Sequence, residues 1–232
     1  AVAYYNFITL SMDPGALIKK LLAAAEAGFD AAVKLCRERL ENYEKLCGKH
    51  MLSYPVEPCV MTFHELYAET KKIYGENLDL MIQEAADRAR QNGADMQGAA
   101  IQIVKLLYDS YPYKKPMVIV GFIPPFYPDT YPDEDEPNTR RLLRCIDHII
   151  SSAKQNYDQD LELKNYYMGI CDASYSGLSK QHEFDVFFKN LVGNEQIYSF
   201  PVQELSNIDI PSVIVGGYGK DLHKCSERLN YS

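Results

Sequence analysis

The residues best suited to chemistry lie in the stretch VIVGGYGKDLHKCSERL, which runs from Val213 to Leu229 near the C-terminus. Three β-forming residues lead into glycines, and a lone histidine, His223, follows with Glu227 four positions later. Open α/β sheets bind ligands just beyond the carboxyl ends of their strands. If the segment is helical, Glu227 falls on the same face as His223, which suits a metal ligand with an orienting carboxylate. The alternative interpretation of His223 is a helix-capping turn closed by a salt bridge.

Other chemistries fail on the spacing of their residues. A phosphate-binding Walker loop needs Ser or Thr after its lysine, and Lys220 is followed by Asp221. Cys225 and His223 cannot form a thiol–imidazole pair on a helix, because residues two apart point about 200° away from each other. His64 stands in the sequence HEL and lacks the second histidine of a zinc-protease helix. The residues alone therefore leave two interpretations of His223 open, a metal ligand and a helix-capping turn closed by a salt bridge.

Composition excludes several classes of function. The net charge of −8 argues against nucleic acids and anionic membranes as partners, since both require basic patches. The sequence holds no apolar run near the about 20 residues that span a bilayer. The six cysteines show no CxxC spacing and no signal peptide is recognisable, so we expect reduced thiols and a cytoplasmic location. The chain begins with AVAYYNF rather than Met, which predicts that it is part of a longer protein.

The elements that would position these residues follow from periodicity and capping signals. Four predicted helices span 15–47, 77–91, 96–111 and 139–157. A further predicted helix starts at Thr62, which forms a capping box with Glu65. The predicted strands span 2–10, 117–123, 161–170 and the residues after Pro211. Proline and acidic residues crowd Pro128–Thr139, which predicts a solvated linker at a domain boundary.

This order of elements predicts an α/β fold in two parts. Residues 1–125 have a strand at each end and helices between them, which indicates an α+β domain. In residues 126–232, strands alternate with helices, which indicates a mainly parallel sheet.

Four motifs carry a resemblance to a known family. They are, in order, AYYNFITL, MVIVGFIPPFYP, GICDASYSGLS and IDIPSVIVGGYGKDLHKCSERL. Together they resemble the bacterial RocB-type branch, linked to arginine utilisation, of the dinuclear-zinc peptidases. Other branches of that family are aminoacylase, glutamate carboxypeptidase and succinyl-diaminopimelate desuccinylase. The resemblance covers nearly the whole chain. It implies that residues 1–125 are a lid and dimerisation domain enlarged by extra helices, and that residues 126–232 are the C-terminal portion of the catalytic domain.

The resemblance also assigns roles to single residues. His223 matches the last metal ligand of the family, and Glu227 matches an orienting carboxylate that follows it. Asp172, Ser174 and Tyr175, in the loop CDASY, match substrate-side or second-shell positions. The implied cofactor is zinc, as two ions in the full-length protein, with cobalt or manganese as alternatives. The implied partners are a small amino-acid-derived substrate and a second copy bound through the lid.

The chain departs from the family pattern in its catalytic residues. The family builds its site from a His-x-Asp motif, a bridging Asp, a Glu–Glu pair and a further acid, and the first Glu of the pair activates the metal-bound water. None of these is present in the sequence, so no catalytic residue is assigned here. One imidazole cannot hold zinc tightly, because such sites use three or more protein ligands.

The expected function is therefore that of a part of a larger enzyme. The resemblance implies a metal-dependent amidohydrolase or peptidase that cleaves an amide bond of an amino-acid-derived substrate, and the chain alone is expected to be inactive. The alternative is a non-catalytic dimerisation or ligand-binding module that has lost its metal site.

Overall fold

The structure, a computed structural model, describes residues 1–7, 12–49, 56–128, 134–164, 172–178, 184–208, 210–216, 219–221 and 225–229. The chain divides into two compact units. Unit 1 comprises the described residues of Ala1–Phe126 and Gln181–Phe200, and unit 2 comprises those of Tyr127–Lys180 and Pro201–Ser232. The predicted division into residues 1–125 and 126–232 stays a prediction. The lid and catalytic roles assigned to the two domains stay predictions.

A long helix, α1, opens unit 1 and spans Pro14–Cys47. Asp13 caps its first turn by accepting a hydrogen bond from the Ala16 amide at 3.1 Å, and Pro14 supplies the backbone angle that a helix start favours. The helix ends at Gly48, whose φ of 62° lies in the left-handed region that glycine tolerates. The predicted helix is confirmed, because its start and stop signals are both local.

Three further helices follow: α2 spans Phe63–Tyr74, α3 spans Asn77–Gln91 and α4 spans Met96–Ser110. Helix α2 begins with the predicted capping box. Thr62 Oγ1 accepts from the Glu65 amide at 3.1 Å, and Glu65 Oε2 accepts from the Thr62 amide at 2.7 Å. The predicted helices at these three places are confirmed.

One short strand precedes these three helices in the sequence and another follows them, and the two strands pair in parallel. Strand β1 spans Val60–Thr62 and pairs with β2, Val118–Val120, with Val60 opposite Val118. The order strand, three helices, strand confirms the α/β fold class. Strand β1 was not predicted, because it is three residues long and leads directly into a helix. Beyond β2, Phe122 forms a parallel bridge with Leu191, which continues the sheet by one strand-like segment.

The core of unit 1 lies between this sheet and helices α2, α3 and α4. Its fully buried side chains are Leu66, Leu78, Ala86, Ala100, Ile103 and Leu107. They recur at helical spacing on the inner faces of the three helices, and their burial supplies the apolar free energy that holds the layer together.

Aromatic packing explains why the later segment belongs to unit 1. Helix α5 spans Pro137–Tyr157 in unit 2, and α6, Asp185–Asn190, returns to unit 1. The ring of Phe187 on α6 lies 4.8 Å from that of Phe122 and 4.2 Å from that of Phe126. These contacts, together with Phe126 against Phe200 at 5.2 Å, attach the segment next to β2.

Unit 2 holds α5, a short helix α7 at Val202–Ser206, and two paired two-residue strands, β3 at Gly219–Lys220 and β4 at Arg228–Leu229. Three strand predictions were wrong over their described residues, because none of residues 2–7, 161–164 and 211–216 is in a strand. Composition favours strands there, but a strand needs a hydrogen-bonded neighbour. Residues 8–10 and 165–170 of these predictions lie outside the described residues.

None of the described helices is long and apolar enough to cross a membrane.

Candidate functional site

Three of the predicted site residues share one short turn in unit 2. Asp172, Ser174 and Tyr175 belong to a single turn of 3-10 helix, Asp172–Tyr175, and the side chains of Ser174 and Tyr175 are half-buried. His223, the predicted metal ligand, lies outside the described residues. Glu227 is exposed and stands immediately before β4. The structure thus describes Asp172, Ser174 and Tyr175 on one turn and Glu227 beside β4.

Local contacts hold the CDASY turn in place. The amide and the hydroxyl of Ser176 both donate to the Ala173 carbonyl, at 3.1 and 2.7 Å, and the Ile210 amide donates to the Ser176 carbonyl at 3.1 Å. The ring of Tyr175 meets that of Tyr127 edge to face at 5.7 Å. A Cβ added at Gly177 would lie 3.2 Å from the Ile208 carbonyl, so a side chain there would push the two segments apart. Ser174 and Tyr175 therefore stand on a loop that is held against Ile208 and Ile210, as a binding loop requires.

The segment around Glu227 is a hairpin rather than a helix. Gly219 pairs with Leu229 and Lys220 with Arg228 in antiparallel register, and Arg228 Nη2 lies 3.4 Å from Asp221 Oδ2. A Cβ added at Gly219 would lie 2.6 Å from the Arg228 carbonyl oxygen, so the close approach of the two strands requires glycine. Residues 225–229 are not helical, whereas residues 222–224, which include His223, lie outside the described residues. The metal-ligand role of His223 and the orienting role of Glu227 stay predictions.

The described residues do not by themselves make a metal centre. Within the described ranges, no group of three or more His, Cys, Asp or Glu side chains is arranged to hold an ion. His64 and His148 are the histidines inside those ranges. A zinc site needs at least three protein donors, and the chain offers one assigned imidazole with a nearby carboxylate. These donors therefore do not fit a complete zinc site.

The sheet edge near α2, another common ligand position, is closed by the protein's own side chains. Thr62 and Glu65 satisfy each other's amides, and the side-chain oxygen of Asn190 accepts from the His64 amide at 3.1 Å. Asn190 is buried, and its side-chain nitrogen donates to the Val186 carbonyl at 2.9 Å. The first turn of α2 is thus capped from within the chain and does not offer these amides to an anion.

The strongest polar cluster among the described residues joins α2 to α3. Tyr67 Oη donates to Asp79 Oδ1 at 2.6 Å, and Lys71 Nζ lies 2.9 Å from Tyr67 Oη and 2.8 Å from Asp79 Oδ2. The hydrogen bond to Asp79 raises the pKa of Lys71, and the hydrogen bond from Lys71 lowers the pKa of Asp79. Burial, followed by the bond to Asp79, raises the pKa of Tyr67. All three groups are thereby held in their ordinary protonation states at neutral pH, which suits a structural tie and not a nucleophile or base.

Sequence analysis missed this cluster. The spacing of Tyr67 and Lys71 places them on one face of a helix, which is visible in the sequence. Asp79 comes from the next helix, and only the packing of α2 against α3 brings it within reach.

Comparison with known proteins gives two relatives and no family model or solved structure. The uncharacterised protein YqjN of Bacillus subtilis (strain 168) is 27% identical over 232 residues, which is 99% of this chain and 40% of YqjN. Protein RocB of the same organism is 26% identical over 229 residues, 97% of this chain and 40% of RocB. The chain thus spans about two fifths of the length of each of these relatives. It is similar to RocB-type proteins along almost its entire length, and the similarity does not single out one zinc-peptidase subfamily.

Proposed function

We propose that this chain is the lid together with the C-terminal portion of the catalytic domain of a RocB-type, metal-dependent amide hydrolase. The proposal rests on the similarity to RocB and YqjN over 97% and 99% of this chain, respectively. The matched region makes up 40% of the length of each relative. A region that matches end to end and covers a fraction of a longer protein is expected to perform part of that protein's function.

In this proposal, His223 supplies one metal ligand and the remainder of the protein supplies the others and the general base. Zinc is the proposed metal, as two ions, with cobalt or manganese as alternatives. Ser174 and Tyr175, half-buried on the fixed CDASY turn, line the substrate side together with Asp172. The proposed substrate is a small amino-acid-derived amide used in arginine utilisation.

The proposed location is the cytoplasm. Five cysteines at described positions, Cys36, Cys47, Cys59, Cys145 and Cys225, are free thiols, which suits a reducing compartment.

Substitution in the full-length protein tests the role of His223. We expect His223→Ala to lower the hydrolysis rate of a panel of N-acyl amino acids and dipeptides by at least about 100-fold, and to lower the bound metal measured by mass spectrometry. We expect Glu227→Gln to lower the hydrolysis rate by about 10–100-fold, because loss of a group that orients a metal ligand usually has an effect of that size. The matched control is His148→Ala, an exposed histidine on α5, which should change neither quantity.

Two results would contradict the proposal. Unchanged metal content in the His223→Ala protein would remove the ligand role, and the absence of metal-dependent hydrolysis across the panel would favour the non-catalytic module.

A further inference from the structure

Exposed aromatic and aliphatic side chains border the CDASY turn in unit 2. Tyr127 directly precedes the acidic linker Pro128–Thr139, and its ring lies edge to face with that of Tyr175 at 5.7 Å. The backbone of Ile208 and Ile210 contacts the residues that follow the turn. Tyr127 and Ile208 are each 37% exposed and Ile210 is 60% exposed, so a large part of this apolar surface faces solvent. Three segments of unit 2 thus meet around a tyrosine pair.

The same three segments carry one sign of charge. Residues 127–139, 171–178 and 201–216 contain five, one and two acidic residues. They contain no Lys, Arg or His, although the chain as a whole has 24 Lys and Arg. A surface lined by one sign of charge raises the local concentration of ligands of the opposite sign. The surroundings of the tyrosine pair therefore favour a cation.

We propose that Tyr127 and Tyr175 form a subsite for a cationic side chain of the substrate, a guanidinium or ammonium group. This inference rests on the proposed function, because it places the tyrosine pair on the substrate side of the same site.

The chemistry of tyrosine rings suits this role. The face of a tyrosine ring carries negative charge and attracts a cation that lies within about 6 Å of the ring centroid. An edge-to-face contact uses only one face of one ring, and Tyr127 keeps more than a third of its surface exposed. A neutral side chain would also pack on the rings, but it would gain nothing from the acidic residues around them. Charge complementarity therefore decides between the two classes of ligand.

Unit 1 contains the same interaction, with the cation supplied by the chain itself. Lys71 Nζ lies 5.4 Å from the ring centroid of Tyr67, and Lys114 Nζ lies 5.1 Å from that of Tyr108. Each of these lysines is within six residues of its tyrosine in the sequence. The segments around the CDASY turn supply no such lysine or arginine, so we expect the cation there to come from the ligand.

Hydrolysis of a matched pair of compounds by the full-length protein tests the subsite. Nα-acetylarginine and Nα-acetylcitrulline have nearly the same shape, and only the first carries a positive side chain. We expect kcat/KM to favour the arginine compound at least tenfold. This preference should fall as the ionic strength rises from about 0.01 M to about 1 M, because the Debye length falls from about 30 Å to about 3 Å.

Substitutions at Tyr127 test whether its ring is the source of the preference. Tyr127→Leu keeps an apolar side chain and removes the aromatic face, so the preference should fall below about threefold, whereas Tyr127→Phe should retain it. The control is Tyr157→Leu, at a 73% exposed tyrosine on α5, which should leave the preference unchanged. A Tyr127→Leu protein that still prefers the arginine compound tenfold would overturn the proposal.

Calorimetric titration with the same two compounds separates this subsite from the hydrolase proposal. A protein that hydrolyses neither compound but binds Nα-acetylarginine at least tenfold more tightly would support the subsite and contradict the hydrolase. Hydrolysis of both compounds with equal kcat/KM would overturn the subsite and leave the hydrolase proposal in place. Equal affinity for the two compounds without hydrolysis, or no binding of either, would overturn both.

Discussion

At the scale of single residues, polar groups in this protein stabilise helix packing where they are paired and cost stability where they are not. The Tyr67, Lys71 and Asp79 cluster is an example of the first case, since each side chain contacts the other two. Thr139 is an example of the second, because it is 1% exposed and its hydroxyl oxygen has no hydrogen-bond partner among the described residues.

The paired cluster predicts a defined pH dependence of the free energy of unfolding. Asp79 has a pKa below its usual 3.8, so its contribution is full above that value and is lost as pH falls through the folded pKa. Lys71 has a pKa above its usual 10.5, so its contribution is full below that value and is lost as pH rises through the folded pKa. Asp79→Asn should therefore be less stable than wild type by a constant amount from about pH 5 to 10, and the gap should close below about pH 4.

Denaturant titrations at several pH values measure this gap. Glu84→Gln, an exposed carboxylate on the same helix, is the control and should show no gap that closes in acid. A gap for Asp79→Asn that persists unchanged to pH 2 would rule out the charged pair as its source.

The unpaired hydroxyl predicts a stabilising substitution. Thr139→Val keeps the branched shape in the first turn of α5 and removes the buried hydroxyl, so the free energy of unfolding should rise by about 1 kcal/mol. Thr139→Ser, which keeps the hydroxyl and loses the methyl group, should lower it by a similar amount. Thermal unfolding of the two variants measures both effects, and a destabilised Val variant would mean that the hydroxyl is satisfied in solution.

At the scale of elements, the sequence predicted helices well and strands poorly, and the reason is physical. Helix α1 and the Thr62–Glu65 capping box are set by contacts within a few residues, so local patterns suffice to predict them. A strand depends on a partner far away in sequence. The β-forming residues 211–216 therefore looked like a strand and are not in one, whereas the short β1 was missed although it pairs with β2.

The same dependence on distant partners applies to the candidate site. The CDASY segment could be recognised as a loop from its sequence, but the contacts of its turn with Ile208 and Ile210 could not be predicted. Glu227 shares a face with His223 only if their segment is helical, and the described residues 225–229 instead lead into β4, whose pairing with β3 depends on the close approach of Gly219 to Arg228.

Asn190 is the residue through which three elements of unit 1 meet. Its side chain caps α2 through the His64 amide and bonds the Val186 carbonyl of α6, and its own carbonyl accepts from the Phe122 amide at 2.8 Å. Asn190→Ala should lower the free energy of unfolding by about 1–3 kcal/mol, because it removes the part-buried hydrogen bonds to the His64 amide and the Val186 carbonyl. Asn207→Ala, an exposed asparagine at the end of α7, should change it by less than about 0.5 kcal/mol. Equal effects of the two substitutions in denaturant titrations would refute the role of Asn190.

At the scale of the whole molecule, the apolar core is divided unequally between the units. Of the buried apolar side chains described, all but Pro128 and Leu205 belong to unit 1. Helix α5 of unit 2 is 21 residues long, yet Thr139 is its one buried residue. The described residues of unit 2 therefore bury little apolar surface among themselves.

This imbalance predicts unequal protection of backbone amides in hydrogen exchange. The amides of α5 should exchange at least about 100-fold faster than those of α4, because local opening exposes little apolar surface in α5 and much in α4. Mass spectrometry of peptides from the two helices makes the comparison within one sample. Equal protection of α4 and α5 would show that unit 2 has a core of its own.

The central claim is that the chain is part of a metal-dependent hydrolase, and the measurement that tests it most directly is the DNA sequence upstream of the codon for Ala1. We predict an open reading frame that continues upstream and encodes a His-x-Asp motif and a Glu–Glu pair, the donors and general base that one imidazole at His223 requires as companions. A start codon at this position, or an upstream region without those residues, would contradict the claim.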